Sequence, residues 1–121
     1  MNTPDFWTAL DKLILSSEII IDRPKGSKHP RYDFIYQVDY GYLANTVSGD
    51  GGGIDVWRGT KKEQICDAVI CTIDLVKRDS EIKILLACTD EEKEFVMQSH
   101  NETEFMKGLL FSRVEDTRRK K

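Results

Sequence analysis

Apolar residues recur along this chain at two periods, and the period changes where the predicted element changes. Across residues 3–15, Phe6, Trp7, Leu10, Leu13 and Ile14 fall at helical spacing, so one stripe of a helix faces a core. Ile19-Ile20-Ile21 is a β-branched run and predicts a strand, ended by Pro24 and Gly26. Residues 31–47 interleave Tyr32, Phe34, Tyr36, Tyr40 and Tyr42 with polar groups and predict more strand. After Gly51–Gly53, Ile54-Asp55-Val56-Trp57 resumes the alternation, with Asp55 on the face opposite Ile54 and Val56. Residues 65–76 predict a long strand, Lys77–Ser80 a polar turn and 81–88 the returning strand of a hairpin. Thr89-Asp90-Glu91-Glu92 is a capping-box pattern that opens a helix through about Gln98. Residues 103–114 carry both patterns: Phe105, Met106, Leu109 and Leu110 fit a helix, while Gly108 and Leu109–Phe111 fit a short strand. The final Arg-Arg-Lys-Lys reads as a frayed tail. Short strands with a helix near each end predict a mainly β, α+β fold, built as a small barrel or a strongly curved sheet.

Composition narrows the class. At 121 residues and 40% hydrophobic content, the chain (1–121) is expected to form a single domain with one modest core. No apolar run approaches the length of a membrane span, and residues 1–7 lack the pattern of a signal peptide, so no membrane partner is expected. The three cysteines, Cys66, Cys71 and Cys88, lie in apolar runs without metal-ligand spacing; they read as buried free thiols of a cytoplasmic protein. The net charge of −3 speaks against a general polyanion binder, and no nucleic-acid partner is expected. Attraction for phosphate must come from local clustering.

Such clustering exists between Asp22 and Gly59. Arg23, Lys25, Lys28, His29 and Arg31 form a basic loop, and Asp50 and Asp55 follow around Gly51-Gly52-Gly53. Lysines and arginines that can hold phosphate, close to carboxylates that can hold Mg²⁺, are the ingredients of metal-assisted phosphoryl chemistry. An aspartate in a glycine-rich loop is ordinarily a turn former, which suffices for Asp50 alone. Asp55 interrupts an apolar strand, where an unpaired carboxylate is costly and a cation would relieve the cost. Asp79, Glu81 and Lys83 alternate at a period of two and point to one face, although most such hairpin tips are only solvated. Lys25-Gly26-Ser27-Lys28 lacks the spacing of a P-loop. Arg31 is expected at the start of a strand, where its guanidinium could grip phosphate in bidentate fashion. Tyr36, Tyr40 and Tyr42 could stack bases, but core packing with the hydroxyl outward is the commoner use. His29 and His100 form no recognisable metal pair.

The segment from Asp22 through Lys83 resembles the soluble family I inorganic pyrophosphatases. The carrying pieces are DRPKGSKHPRYDF, YQVDYGYLANTVSGDGGGIDVW and RDSEIK; the second is the most specific, a Tyr-Gly-Tyr followed eight residues after Tyr42 by Asp-Gly-x-x-Ile-Asp-Val. The resemblance implies a five-stranded, OB-like β-barrel with flanking N- and C-terminal helices, and hydrolysis of pyrophosphate with Mg²⁺, or Mn²⁺ in its place. It implies metal-binding roles for Asp50, Asp55, Asp79 and Glu81, phosphate-binding roles for Lys83, Arg31 and, as a substitute cation, Lys28 or Arg23, and a place for Tyr40 beside the nucleophile. Asp33 stands where the family has a glutamate. The chain departs from the family at Gly52, which replaces a proposed general-base aspartate, and in the hairpin missing after Asp33. His100 and Asn101 match neither member of a C-terminal Tyr-Lys pair. Loss of a general base commonly costs about 10²–10⁴ in rate, so weak hydrolysis or an altered substrate is implied, with His100 or Asp39 as a replacement base. The expected partner is a small phosphate substrate, and a homo-oligomer is compatible with the reading. The alternative is a non-catalytic relative that binds a phosphorylated ligand or nucleotide.

Overall fold

The computed structural model describes residues 3–113, with side chains from residue 6 onward. Helix α1 (Thr3–Leu15) leads into strands β1 (Ile19–Arg23), β2 (Asp39–Leu43), β3 (Ile54–Arg58), β4 (Cys66–Asp74) and β5 (Asp79–Leu86), followed by helix α2 (Asp90–Ser99) and strand β6 (Met106–Ser112). The six strands form one open sheet in the order β1-β2-β3-β5-β4-β6. Neighbours run antiparallel except β3 and β5, which are parallel. The fold is therefore mainly β and α+β, consistent with the small OB-like architecture expected. The sixth strand is β6, from the segment whose sequence carried both patterns. The Arg-Arg-Lys-Lys tail lies outside the described residues.

The alternation of each strand divides the core between two faces. On one face, Leu43, Val56, Val69, Ile84 and Leu86 pack against Trp7, Leu10, Leu13 and Ile14 of α1. On the other, Trp57, Ala68, Ile70 and Leu85 pack against Val96 and Phe95 of α2, with Tyr36 and Val38 closing the side. Leu85, Ile70 and Ile84 are completely buried; each such side chain contributes about 1.5–3 kcal/mol. Cys66 and Cys88 are buried free thiols and Cys71 is half-buried. Burial pushes the thiol of Cys66 up to about 11 and that of Cys88 up to about 12.

α2 begins with the expected capping box: Glu92 N–H donates to Thr89 Oγ1 (3.2 Å) and Thr89 N–H donates to Glu92 Oε1 (2.8 Å). The same Glu92 Oε1 accepts from Thr60 N–H at 3.1 Å and ties the helix start to the loop after β3.

Residues 31–38 depart from the strand expected there. Tyr36 N–H donates to Ser27 O (2.9 Å), Gly26 N–H to Tyr36 O (2.7 Å) and His29 N–H to Phe34 O (2.8 Å), so the segment doubles back on the basic loop, outside the sheet. Alternating aromatics serve this loop as they would a strand, because Phe34 and Tyr36 turn inward beside Phe95 and Tyr40. Arg31 consequently sits in an exposed bend and not at a strand start.

Candidate active site

Strand register brings the charged residues together. Tyr42 pairs with Asp55 across β2–β3, Val56 pairs with Ile84 across β3–β5, and Thr72 pairs with Glu81 across β4–β5. Tyr40, Asp55, Glu81 and Lys83 thereby share the face covered by α2. Lys83, with a side chain only 9% exposed, is the centre of the group. Its Nζ donates to Asp55 Oδ2 at 2.7 Å and to Tyr40 Oη at 2.8 Å, and stands 3.6 Å from Glu81 Oε1. Burial alone would lower its pKa, but the hydroxyl of Tyr40 and the carboxylate of Asp55 outweigh it and hold the ammonium charged. Tyr40 is shifted the other way from a reactive phenolate: burial raises its pKa, against the pull of Lys83, so it remains a phenol.

The loop between β2 and β3 supplies Asp50. Ser48 Oγ donates to its Oδ1 at 2.7 Å and Gly52 N–H donates to the same oxygen at 2.9 Å, and these two bonds hold its pKa down. Two glycines shape this loop. Gly51 takes a φ of +86°, and a Cβ on Gly49 would come within 2.6 Å of Ser80 O. The loop can therefore lie against the start of β5, beside Glu81.

Glu81 carries the least satisfied carboxylate. Its side chain is 6% exposed, and its buried Oε1 has no hydrogen-bond partner among the described residues. Its pKa is raised first by burial and then, against the pull of Lys83, by the carboxylates of Asp50, Asp55 and Asp79. Among the described residues no three histidine, cysteine or carboxylate side chains stand in position to enclose a metal. Mg²⁺ does not need such an enclosure: it commonly takes one or two carboxylates and keeps several waters. An orphaned oxygen on Glu81 beside the ionised Asp50 fits that requirement.

The basic loop stays apart from this cluster. Lys28 Nζ lies 3.8 Å from Asp33 Oδ1, both exposed, and among the described residues no hydrogen bond or ion pair joins Lys28, Arg31 or Asp33 to Lys83. Lys25 N–H donates to Asp39 Oδ1 at 2.7 Å, pinning the loop to the start of β2 and engaging one oxygen of a weighed replacement base. An aromatic stack, Tyr40 on Tyr36 (5.6 Å) and Tyr36 on His29 (6.2 Å), runs from Lys83 to the loop.

His100, the other replacement base considered, is turned into the core. It is 8% exposed, its Nε2 accepts from Trp57 Nε1–H at 3.3 Å, and its Nδ1 faces Met106 Sδ at 3.3 Å. Burial, and then Lys83, lower its pKa to about 4. Its lone pair is already committed to Trp57.

Sequence reasoning overlooked three supports of the site. Ser48, two residues before Asp50, is the kind of short polar neighbour that a turn aspartate bonds, and its spacing is a readable signal. The Trp57–His100 pair spans 43 positions and leaves no local signal. Asn101 is likewise tertiary: its side chain bonds both backbone groups of Gly108, each at 3.1 Å.

No family model matches the chain, and no curated protein matches it either. Among solved structures it is similar to an inorganic phosphatase from Anaplasma phagocytophilum, with a TM-score of 0.48 and 12% identity, over 79% of this chain and 74% of that one. A likeness at that level is distant and transfers no activity or residue role. No helix among the described residues is long and apolar enough to cross a membrane.

Proposed function

We propose that this protein is a divalent-cation-dependent hydrolase of phosphoanhydrides, with inorganic pyrophosphate as substrate. The observation that carries the proposal is the orphaned, buried oxygen of Glu81 beside Lys83, in a cluster of four carboxylates and one ammonium. The sequence resemblance of residues 22–83 supports the same reading.

Asp50 and Glu81, with Asp55 and Asp79 around them, would hold Mg²⁺ or Mn²⁺. Bound there, the cation would neutralise phosphoryl charge and lower the pKa of a water. The remaining work falls to the chain. An ammonium has three N–H donors, and Lys83 spends two on Asp55 and Tyr40. The third is available for a phosphate oxygen. Tyr40 accepts from Lys83 and, as a phenol beside the carboxylate of Asp55, holds the Lys83 ammonium in place. Arg31 and Lys28, at the exposed loop, would meet the outer phosphate. Gly52 supplies no base, so slow turnover is expected.

The test is phosphate release from pyrophosphate with and without Mg²⁺, for the wild type and Lys83→Met. Release should require Mg²⁺ and fall by about 10²–10³ in the variant. Lys83→Met leaves Asp55 unpaired, so the double variant Lys83→Met/Asp55→Asn controls for stability. A second reading, a non-catalytic phosphate binder, is favoured by Gly52 and by the engagement of Asp55 with Lys83. Pyrophosphate binding by calorimetry without any release would select it, and absence of both would remove the two readings together.

A further inference from the structure

Among the described residues, the face of the sheet that α1 packs on is only partly covered. Side chains on that face grow more exposed as the strands run out from under the helix. In β4, Val69 is buried, Cys71 half-buried and Ile73 52% exposed; in β5, Ile84 is fully buried and Ile82 45% exposed. On the same face of the outermost strand, Leu109 is 65% and Phe111 50% exposed. The apolar alternation thus continues beyond its cover. The uncovered part is a groove of about 810 Å³, walled by Phe6 and Val47 as well as by Ile73, Ile82 and Leu109.

We infer that this groove is the interface of a homodimer, with the β4–β6 end of the sheet in one protomer packed face to face on that of its partner. Area is the first argument. Six large apolar side chains about half exposed amount to roughly 600 Å², the upper end of what a monomer leaves open. Buried on both protomers, that area is roughly 1,200 Å² in total, the lower end of the range for a specific interface. The second argument concerns how the partner approaches. β6 is an edge strand, but Asn101 bonds both the N–H and the C=O of Gly108 in mid-strand, as a neighbouring strand would. Edge-to-edge pairing is blocked there, and the apolar face is left as the contact. The interface borders the candidate site, because Ser48, Gly49 and Glu81 also line the groove. The inference does not depend on the proposed activity.

Sedimentation equilibrium of the full chain over a range of concentrations, with far-UV circular dichroism as the folding control, tests it. The wild type should sediment at twice the chain mass. Leu109→Glu and Ile82→Glu, at exposed positions, should weaken the dimer by at least about tenfold and keep the wild-type spectrum. Leu15→Glu, 86% exposed at the far end of α1, should leave the dimer intact. A wild-type monomer at every concentration overturns the inference. So does an assembly that survives both groove substitutions, or one that Leu15→Glu dissociates equally well.

Discussion

Gly52 is where one side chain would change the chemistry most. The left-handed backbone of its loop belongs to Gly51, so position 52 imposes no positive φ on a replacement. A Cβ there would meet Asp50 Oδ1 at 3.3 Å, a contact that a shift of a few tenths of an ångström relieves. An aspartate at 52 would stand beside Asp50. If the cluster hydrolyses pyrophosphate and lacks only a base, Gly52→Asp should raise Mg²⁺-dependent phosphate release by about tenfold or more. A folded, cation-binding variant with no gain would mean that an absent base is not what limits the reaction, or that pyrophosphate is not the substrate. The candidate residues Asp50, Asp55, Asp79, Glu81 and Lys83 were legible because strand alternation fixes their face and the glycines mark the loop. Their hydrogen-bond partners were not, because Lys83–Tyr40 and Trp57–His100 each span 43 positions.

At the scale of elements, local periodicity served where an element is its own context. The β4–β5 hairpin and the capped start of α2 follow from alternation and from the Thr89–Glu92 box. Residues 31–38 misled because aromatic alternation does not reveal whether backbone groups bond a neighbouring strand or, as here, their own loop. β6 was ambiguous because its apolar residues fit either period; the reason for Gly108 is tertiary, since a Cβ would crowd Ile70 Cδ1 at 2.9 Å and His100 Cβ at 3.2 Å. His100 caps the C-terminal end of α2 and couples that helix to Trp57 on β3. Its pKa, lowered to about 4 in the fold against about 6.5 unfolded, makes the junction sensitive to acid. Between those values the unfolded chain binds the extra proton, so stability is full above pH 6.5 and is lost as pH falls towards 4. Unfolding by urea should show a loss of roughly 2 kcal/mol between pH 7 and pH 5, above most carboxylate titration. His100→Gln should flatten that slope. Parallel profiles for the two proteins would assign the loss to other groups.

For the whole molecule, the candidate site is a place where the fold gives up stability. Glu81 is buried among the charges of Asp50, Asp55 and Asp79, with Lys83 as the neighbouring cation, and its Oε1 accepts no hydrogen bond among the described residues. Because its folded pKa is raised, the folded state holds a proton on Glu81 more tightly than the unfolded chain does. Stability therefore falls as pH rises through that window, and at neutral pH the ionised side chain costs the fold. A divalent cation that binds only the folded chain should return stability, by about 2.7 kcal/mol at a hundredfold excess over its Kd. Thermal unfolding at pH 7 should thus show a higher midpoint with Mg²⁺ or Mn²⁺ than with chelator. Glu81→Gln separates the two effects: it should raise the cation-free midpoint, by removing the buried charge, and abolish the gain on adding cation. A wild-type midpoint indifferent to both cations would remove the metal from the site. A gain that Glu81→Gln leaves untouched would move it to other ligands. Either result would still leave the Lys83–Asp55–Tyr40 cluster to be explained as an anion-binding centre alone.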